Sequence, residues 1–314
     1  MAKVFIDGQE GTTGLNIARR LAGREDIQLI NIDDALRKDA QERRTKFFEA
    51  DIAILCLPDE AARESVQLAA GSNARILDAS TAHRTKAGWA YGFPELSKKH
   101  REAIKMGGRV SVPGCHASGF AAIVYPLIKA GVMSPDYPIV CHSVTGYSGG
   151  GKKMIAEYEA AGRSEQYDSP RQYALLQTHK HQPEMQAVCG LKDVPIFNPI
   201  VADFYSGMVV SVPLHTRLLY GKPGKSAIYE LLSSHYYGEN LVHVLPEGAE
   251  ESLGGFLPAN GLSGRDDMEL MVTGNDEKVL LTARFDNLGK GASGAAVQCL
   301  NLMIGTDEMT GLNV

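Results

Sequence analysis

The sequence contains five cysteines but no pair spaced as Cys-x-x-Cys. The five are scattered singly along the chain, at positions 56, 115, 141, 189 and 299. This pattern argues against a zinc ribbon and against a disulfide framework. Such cysteine usage is typical of a reducing compartment, so the sequence predicts a cytoplasmic protein.

Long apolar runs and excess positive charge are also missing. No apolar run approaches the ~20 residues that a membrane span needs. The N-terminus runs directly into a strand predicted within the first eight residues, without the apolar core of a signal peptide. The formal net charge of −5 gives no electrostatic support for nucleic-acid binding. The sequence therefore predicts neither nucleic acid nor a membrane as a partner.

Predicted strands and helices alternate through the first hundred residues. Strands are predicted at 4–7, 27–32, 51–58, 75–78 and 109–112, and helices at 14–22 and 60–70. The run at 51–58 is continuously apolar and stops at a proline, as a buried parallel strand does. This alternation predicts an α/β fold with a doubly wound parallel sheet of the Rossmann type.

The pattern changes after about residue 135. Strands are predicted at 138–147, 194–202, 207–214, 241–245, 268–273 and 278–285, with few helices between them. Runs of strands indicate a second α+β domain with a mostly antiparallel sheet. The final apolar segment, 291–303, is predicted to be a helix that returns to the first domain. The sequence thus predicts two domains. The dinucleotide-binding domain comprises residues 1–115 and 286–314, and the domain for catalysis and oligomerisation comprises residues 116–285.

Three glycines follow the first predicted strand. Gly8, Gly11 and Gly14 form a G-x-x-G-x-x-G turn that leads into a helix. Such glycines let the backbone approach a pyrophosphate, which binds at the helix N-terminus. The second strand ends at the acidic pair 33–34, which would favour NAD, but the basic pair 37–38 could instead hold the 2′-phosphate of NADP. These residues leave both cofactors open.

Cys115 lies in a Pro-Gly-Cys-His turn, residues 113–116, between a short strand and an apolar helical segment. This arrangement places the thiol at a helix N-terminus, where the helix dipole favours a thiolate. A thiolate in that position can act as a nucleophile. The alternative is a small buried residue at a tight turn, which is common for a single cysteine.

A nucleophilic thiol needs a base, and the best candidates lie in the segment 173–184. His179 and His181 flank a lysine and would share a face if the segment were a strand. A histidine is the natural proton shuttle for a thiol, and Glu184 could orient it. A zinc site is disfavoured because no cysteine or acid sits at ligand spacing, so no metal is predicted. A polar surface loop is the alternative.

Three further loops are candidate anion-binding or cofactor-binding segments. Residues 78–84 follow a strand and combine hydroxyl groups with an arginine, which suits phosphate. Residues 147–153 are rich in glycine and end in two lysines. Residues 287–291 precede the last helix and could return to the cofactor. For each of them an ordinary turn is an alternative.

Six motifs, in order along nearly the whole chain, match a known family. They are Gly8-x-x-Gly11-x-x-Gly14, Asp-Ala-Ser-Thr-Ala-His-Arg at 78–84, Tyr-Gly-Phe-Pro-Glu-Leu at 91–96, Val-Pro-Gly-Cys at 112–115, His-Lys-His-x-Pro-Glu at 179–184 and Asn-Leu-Gly-Lys-Gly-Ala at 287–292. The chain thereby resembles the N-acetyl-γ-glutamyl-phosphate reductases of arginine biosynthesis, in their shorter second type. That family belongs to the aspartate-semialdehyde dehydrogenase superfamily.

The resemblance implies an oxidoreductase that reduces N-acetyl-γ-glutamyl phosphate with NADPH through a cysteine thioester, releasing phosphate and N-acetylglutamate 5-semialdehyde. It implies that Cys115 is the nucleophile, that His181 is the acid/base, and that Glu184 and Tyr173 orient His181 or the substrate. The cofactor residues that it implies are Gly8, Gly11, Thr12, Thr13, Gly14, Ser80 and Asn287. The residues that it implies for the substrate or its phosphate are Arg84, Ser148 and His179, with Ser80 also a candidate for the phosphate.

The family usually uses NADP, so NADP is the predicted cofactor despite the acidic pair at 33–34. The family also assembles through the sheet of its second domain, which implies a homo-oligomer, either a dimer or a tetramer. Three alternatives stay open at this point. They are the same chemistry on aspartyl phosphate or an amino-adipyl phosphate, a nucleotide-binding regulator without turnover, and a thiol hydrolase that uses Cys115 and His181.

Overall fold

Two compact units make up the chain in the computed structural model, which describes residues 1–314 apart from the side chain of Thr12. The first unit comprises Met1–Pro113 and Ala292–Leu312, and the second comprises Gly114–Gly291 and Asn313–Val314. Cys115 therefore belongs to the second unit, whereas the boundary drawn from the sequence leaves it at the end of the first domain. None of the described helices is long and apolar enough to cross a membrane.

The first unit is built from alternating strands and helices. Its elements are β1 (Ala2–Asp7), α1 (Thr12–Leu21), β2 (Ile27–Ile30), α2 (Ala40–Glu49), β3 (Ile52–Leu55), α3 (Asp59–Leu68), β4 (Arg75–Asp78), β5 (Ala90–Tyr91), α4 (Lys98–Met106), β6 (Arg109–Ser111) and, from the end of the chain, α10 (Gly294–Ile304). The six strands pair in the order β2-β1-β3-β4-β6-β5, and every pairing is parallel.

Helices cover both faces of this sheet, because alternate strand residues pack in opposite directions. On one face, Val4 and Ile6 join a core with residues of α1, α4 and α10. On the other face, Phe5 and Leu55 join a core with residues of α2 and α3. All four residues of β3 are buried, which explains its continuously apolar sequence. The doubly wound parallel sheet is confirmed.

The second unit contains the remaining strands and five helices. They are α5 (Cys115–Lys129), β7 (Val140–Gly146), α6 (Gly151–Glu159), β8 (Arg171–Gln172), α7 (His181–Cys189), β9 (Ile196–Ala202), β10 (Met208–His215), α8 (Lys225–His235), β11 (Val242–Val244), α9 (Ala249–Ser252), β12 (Met268–Gly274) and β13 (Lys278–Phe285). The strands pair in the order β11-β12-β13-β10-β7-β9-β8.

The sheet of the second unit is mostly antiparallel, as predicted. Only the pairs β11–β12 and β7–β9 are parallel, and the four other pairs are antiparallel. Helices α5 and α8 pack against this sheet. On its helix-covered face, α5 comes so close that a Cβ built on Gly119 would lie 2.7 Å from the side chain of Val210. In β10 buried residues alternate with more exposed ones, so one sheet face packs inward and the other faces outward.

The expectation of few helices between these strands was wrong. Helices α6, α7 and α8 all lie in that region. In α6 and α8 the buried face is small, with one and two buried residues respectively, so few apolar positions mark these helices in the sequence. The last helix also begins later than predicted, at Gly294, because a π-helical turn over Gly289–Ser293 precedes it.

Candidate active site

Cys115 is the first residue of α5, and the preceding Gly114 is the N-cap. The first turn of α5 contains no acidic residue of its own, although the carboxylate of Glu184 on α7 accepts from the N-cap N–H and offsets part of the positive end of the helix dipole. The helix N-terminus itself favours the thiolate form of a cysteine at this position. A Cβ built on Gly291 would lie 2.9 Å from the Cβ of Cys115, which shows that the backbone at Gly291 lies directly against the cysteine. The predicted strand–turn–helix setting is confirmed.

Glu184 anchors the turn that presents Cys115. Its Oε1 accepts a hydrogen bond of 2.8 Å from the backbone N–H of Gly114, across 70 positions of sequence. The side chain is buried, and Glu184 lies one turn after His181 on α7. A buried carboxylate bonded to the N-cap residue fixes the start of α5 relative to α7. The sequence-based role of Glu184 was to orient a histidine or the substrate, and the structure adds this contact to the cysteine turn.

His181 and the cysteine lie close together. The Sγ atom of Cys115 and one ring nitrogen each of His116 and His181 lie within 4.8 Å of one another. In a strand the two histidines would share a face, but His181 instead begins α7, and its N–H donates to Nδ1 of His179. The two imidazoles are nevertheless neighbours, with ring centroids 4.8 Å apart. The bend at the start of α7 brings both rings to the same place.

His116 has a place in this site that sequence reasoning missed. Its Nδ1 bonds to the hydroxyl of Ser143 at 2.7 Å, and its Nε2 bonds to the hydroxyl of Tyr173 at 2.8 Å. Burial, with the nearby charges of His179 and Lys180, lowers the pKa of His116 to about 3. The ring is therefore neutral at physiological pH, with one nitrogen a donor and the other an acceptor.

Two predicted site residues beside His116 have shifted pKa values. Burial lowers the pKa of His179 to about 4, with Lys180 contributing in the same direction. Burial also raises the pKa of Tyr173, and a charge on Cys115 raises it further. His179 is thus neutral and Tyr173 is protonated under physiological conditions.

The three atoms of Cys115, His116 and His181 also have a spacing at which a metal could be considered. Both ring nitrogens of His116 already bond to Ser143 and Tyr173, so one of these bonds would have to break before His116 could bind a metal. The arrangement fits proton transfer around a thiol better than it fits a closed zinc site. The absence of a metal stays a prediction.

The structure brings together two of the other predicted residues, Ser148 and Asn287. The amide Nδ2 of Asn287 donates to the Ser148 hydroxyl at 3.0 Å, and its Oδ1 accepts from the N–H of Gly207 at 2.8 Å. Both side chains are buried. Asn287 was predicted to contact the cofactor, and its visible role is to fix the turn that holds Ser148. The candidate anion loop at 147–150 and the segment 287–291 thus support each other within the second unit.

The predicted glycine turn lies at the carboxyl ends of β1 and β3 in the first unit, where the strand order reverses. Ligands of doubly wound sheets bind at this point. Gly8 has φ of +86°, and a Cβ on it would lie 2.5 Å from the carbonyl oxygen of Cys56. A Cβ on Gly14 would lie 2.5 Å from the carbonyl oxygen of Gly8. The turn is therefore as tight as a pyrophosphate site requires.

A cavity of about 810 Å³ opens over this turn. Gly8, Gly11, Asp34, Arg37 and Lys38 are among the residues that line it. Asp33 is not among them, and its carboxylate accepts instead from the N–H of Ala35. Of the four charged residues considered above for cofactor choice, the lining therefore contains both basic residues and one of the two acids. Thr13 lies in the first turn of α1, and the side chain of Thr12, also a predicted contact, lies outside the described part of the structure.

The predicted phosphate residues Ser80 and Arg84 lie after β4, also in the first unit. The Ser80 hydroxyl donates to Asp78 at 2.8 Å, and the same carboxylate oxygen lies 2.5 Å from Nδ1 of His83. The Arg84 Nε donates to the carbonyl of Val112 at 3.0 Å. This loop is thus held by buried polar contacts, and Arg84 is attached to the segment that leads to the Pro-Gly-Cys turn.

Two family models match this chain, one over the region that contains the glycine turn and one over the region that contains Cys115 and the histidines. Residues 3–105 match the family model described as the NAD binding domain of semialdehyde dehydrogenase. Residues 115–287 match the model described as the semialdehyde dehydrogenase dimerisation domain. The first match covers the glycine turn, and the second begins at Cys115.

Relatives that align over nearly their full length identify a narrower family than the two family models do. The chain is 46% identical to N-acetyl-gamma-glutamyl-phosphate reductase 2 of Nostoc sp. over 319 aligned positions, which cover 99% of each chain. It is 47% identical to N-acetyl-gamma-glutamyl-phosphate reductase of Brucella anthropi, covering 96% of this chain and 98% of the relative. A solved aspartate semialdehyde dehydrogenase from Francisella tularensis superposes with a TM-score of 0.71 over 96% of this chain and 99% of its own, at 16% identity.

The structural match shows the fold, and the sequence matches show the family. The resemblance inferred from the six motifs is confirmed by relatives that extend over nearly the entire chain. The chain therefore belongs to the semialdehyde dehydrogenase family and, within it, to the N-acetyl-γ-glutamyl-phosphate reductases.

Proposed function

We propose that the chain catalyses the NADPH-dependent reduction of N-acetyl-γ-glutamyl phosphate to N-acetylglutamate 5-semialdehyde, with release of phosphate. The observation that carries this proposal is the position of Cys115 at the first turn of α5, with a His181 nitrogen within 4.8 Å of its sulfur. The predicted enzyme class, a NADP-dependent acyl-phosphate reductase, is confirmed by the full-length similarity to named reductases. We assign this reaction to arginine biosynthesis on the names of the same relatives.

The residues of the second unit fit acyl transfer to sulfur. The Cys115 thiolate attacks the acyl carbon, a carbon–sulfur bond forms, and phosphate leaves with the electron pair of the broken carbon–oxygen bond. NADPH, when bound, supplies a hydride to the thioester carbonyl. His181 protonates the resulting oxyanion and removes the same proton when the aldehyde forms and the carbon–sulfur bond breaks. Tyr173 stays protonated and can donate a hydrogen bond to the substrate.

The glycine turn of the first unit and the basic residues near it are suited to binding a dinucleotide. Gly8 and Gly14 keep side chains away from the place where the pyrophosphate approaches α1, and that helix has no acid in its first turn. Arg37 and Lys38 would hold the 2′-phosphate of NADP. Arg37 forms an ion pair of 2.7 Å with Glu10, and both side chains are substantially exposed. Such a surface pair contributes about 1 kcal/mol at most, so a phosphate can displace it.

Replacing Arg37 and Lys38 together with alanine is expected to weaken NADPH binding by about 10- to 100-fold, since two charge-assisted contacts to phosphate are lost. NADH binding should change by less than a few-fold, because NADH lacks the 2′-phosphate. Fluorescence titration with each cofactor measures both. The exposed pair Lys98 and Lys99, also changed to alanine, is the control for a loss of two charges elsewhere in the unit. Equal losses for both cofactors would reject the assignment.

A homo-oligomer is also proposed, built on the outer face of the second sheet. The matched region is described as a dimerisation domain, and α5 and α8 cover only the inner face. Ile196, Val209, Pro213 and Leu280 lie on the outer face, and Ile196 and Leu280 are substantially exposed. Sedimentation equilibrium should find a dimer or tetramer, with Leu280→Lys shifted toward monomer. A monomeric wild-type protein at micromolar concentration would contradict this assembly.

The cytoplasmic location stays a prediction.

The reverse reaction tests the proposed function. N-acetylglutamate semialdehyde, phosphate and NADP are combined with the protein, and the formation of NADPH is followed by absorbance. Aspartate semialdehyde serves as the parallel substrate. Phosphate-dependent NADPH formation with the acetylated substrate is expected. Activity only with aspartate semialdehyde would keep the chemistry and change the substrate. Binding of NADP without any turnover would favour the non-catalytic regulator.

A further inference from the structure

Ser143 reaches the candidate active site from β7. Burial alternates along this strand, so the side chain of Ser143 points inward together with those of Cys141 and Thr145. Ser143 is 1% exposed. Its hydroxyl has a single hydrogen-bond partner among the described residues, the Nδ1 atom of His116 at 2.7 Å. This contact is therefore the one place within the described residues where the hydroxyl proton of Ser143 can be donated.

The direction of this hydrogen bond follows from the burial of both groups. If the Ser143 hydroxyl accepted a proton from Nδ1, its own proton would have no acceptor among the described residues. A buried donor without an acceptor is costly, because its hydrogen bond to water is lost and not replaced. If Ser143 donates instead, its proton and the lone pair of Nδ1 are both satisfied. The hydroxyl of Ser143 is therefore the donor, and Nδ1 of His116 is the acceptor.

The tautomer of His116 follows from this direction. The ring is neutral, because burial lowers its pKa to about 3, so an unprotonated Nδ1 requires the proton on Nε2. The Nε2 atom lies 2.8 Å from the hydroxyl oxygen of Tyr173, so Nε2–H donates and the phenolic oxygen accepts. His116 thus leaves the proton of Tyr173 unused. Tyr173 is only half-buried and has no other acceptor for this proton among the described residues, so a ligand can accept it.

The hydroxyl of Tyr173 lies beside the reacting groups. One ring nitrogen of His116, the sulfur of Cys115 and a ring nitrogen of His181 lie within 4.8 Å of one another. The Tyr173 hydroxyl is one hydrogen bond away from this cluster, and its ring centroid lies 5.8 Å from that of His179. When a thiolate adds to an acyl carbon, negative charge develops on the acyl oxygen. A fixed hydroxyl donor in this place stabilises that charge.

We propose that Ser143 and His116 are positioning residues, which fix the hydroxyl of Tyr173 so that it donates to the acyl oxygen of the substrate. This assignment rests on the proposed function. The donors run in one direction, from Ser143 to Nδ1, from Nε2 to the phenolic oxygen, and from the phenol to the substrate. The opposite tautomer of His116 would turn the proton of Tyr173 toward Nε2 and away from the substrate. No proton is transferred along this chain.

A double-mutant cycle, measured in the reverse reaction, tests this assignment. Tyr173→Phe is expected to lower kcat by about 10²- to 10³-fold, the usual effect of removing one donor to an oxyanion. Ser143→Ala should lower kcat by about 3- to 10-fold, the scale of one neutral hydrogen bond. The KM values for NADP and phosphate should change less than threefold. Ser143→Thr should recover most of the loss, because it keeps the hydroxyl. The double variant should be no slower than Tyr173→Phe, since Ser143 acts through Tyr173.

Cys141→Ala is the matched control for Ser143→Ala. Cys141 precedes Ser143 by two residues, lies on the same buried side of β7, and also loses one γ atom on substitution. Its kcat should stay within twofold of the wild type. Losses from Ser143→Ala and Tyr173→Phe that multiply in the double variant would indicate an independent structural role for Ser143 and would overturn the assignment.

The tautomer of His116 can be measured without turnover. In protein labelled with ¹⁵N-histidine, long-range ¹H–¹⁵N correlation distinguishes a protonated ring nitrogen from an unprotonated one, and the signals of His116 are those missing from His116→Gln. A protonated Nε2 and an unprotonated Nδ1 are expected, and a proton on Nδ1 would overturn the assignment. Absence of wild-type turnover with N-acetylglutamate semialdehyde would instead overturn the proposed function, whereas this spectrum would still decide the direction of the hydrogen bonds.

Discussion

Replacing Cys115 with serine is expected to lower the rate of reduction by roughly 10⁴-fold or more, the scale seen when a nucleophile is removed. A serine hydroxyl at the start of α5 keeps the hydrogen-bonding capacity and nearly the volume of the thiol. It does not ionise in the physiological range, so the helix dipole cannot convert it to a nucleophile. Steady-state assays in both directions measure the loss.

The same variant should bind NADPH with an affinity within a few-fold of the wild type. The glycine turn and the cavity over it belong to the first unit, and Cys115 belongs to the second. Fluorescence titration separates the two effects. A large loss of NADPH affinity in Cys115→Ser would contradict a purely chemical role for the thiol.

Alkylation provides an independent measure of Cys115. Burial raises the pKa of Cys56 to about 12 and also raises the pKa values of Cys141 and Cys189. These three thiols are therefore protonated and slow to react near neutral pH. The fifth cysteine, Cys299, is fully buried, so iodoacetamide should label Cys115 first, and labelling should abolish activity in parallel. Inactivation that follows the labelling of a different cysteine would remove Cys115 from the mechanism.

The sequence predicted the parts of the fold that depend on local pattern. The apolar run in β3, the alternation in β10 and the glycine turn before α1 each reflect a short stretch of chain and its period. The position of Cys115 at a helix N-terminus was predictable for the same reason. Each of these features was read from fewer than twenty consecutive residues.

The missed features depend on contacts between distant residues. The secondary structure around His179 and His181 stayed open in the sequence, whereas in the structure a helix begins at His181 and carries Glu184 to the N–H of Gly114. His116 gains its role from Ser143 and Tyr173, which are 27 and 57 positions away. No period in the sequence encodes such pairs. The only available signal for His116 was its position beside the cysteine.

Replacing His181 with asparagine is expected to lower kcat by roughly 10²- to 10⁴-fold, the usual contribution of a positioned acid/base. Asparagine retains a hydrogen-bonding side chain of similar reach but cannot take up and release a proton. The two neighbouring histidines are poor substitutes. The pKa of His179 is lowered to about 4 and that of His116 to about 3, so neither ring is in the cationic, acid form near pH 7.

His179→Asn is the matched control, because the two rings are neighbours and the substitution is identical. It should change kcat only a few-fold, through substrate contacts. The pH dependence of kcat should lose a titration in His181→Asn and keep it in His179→Asn, since only the first variant removes the group that exchanges a proton. A kcat for His181→Asn within a few-fold of the wild type would move the acid/base role to His179. Its lowered pKa would then require a proton delivered from solvent or from substrate at each turnover.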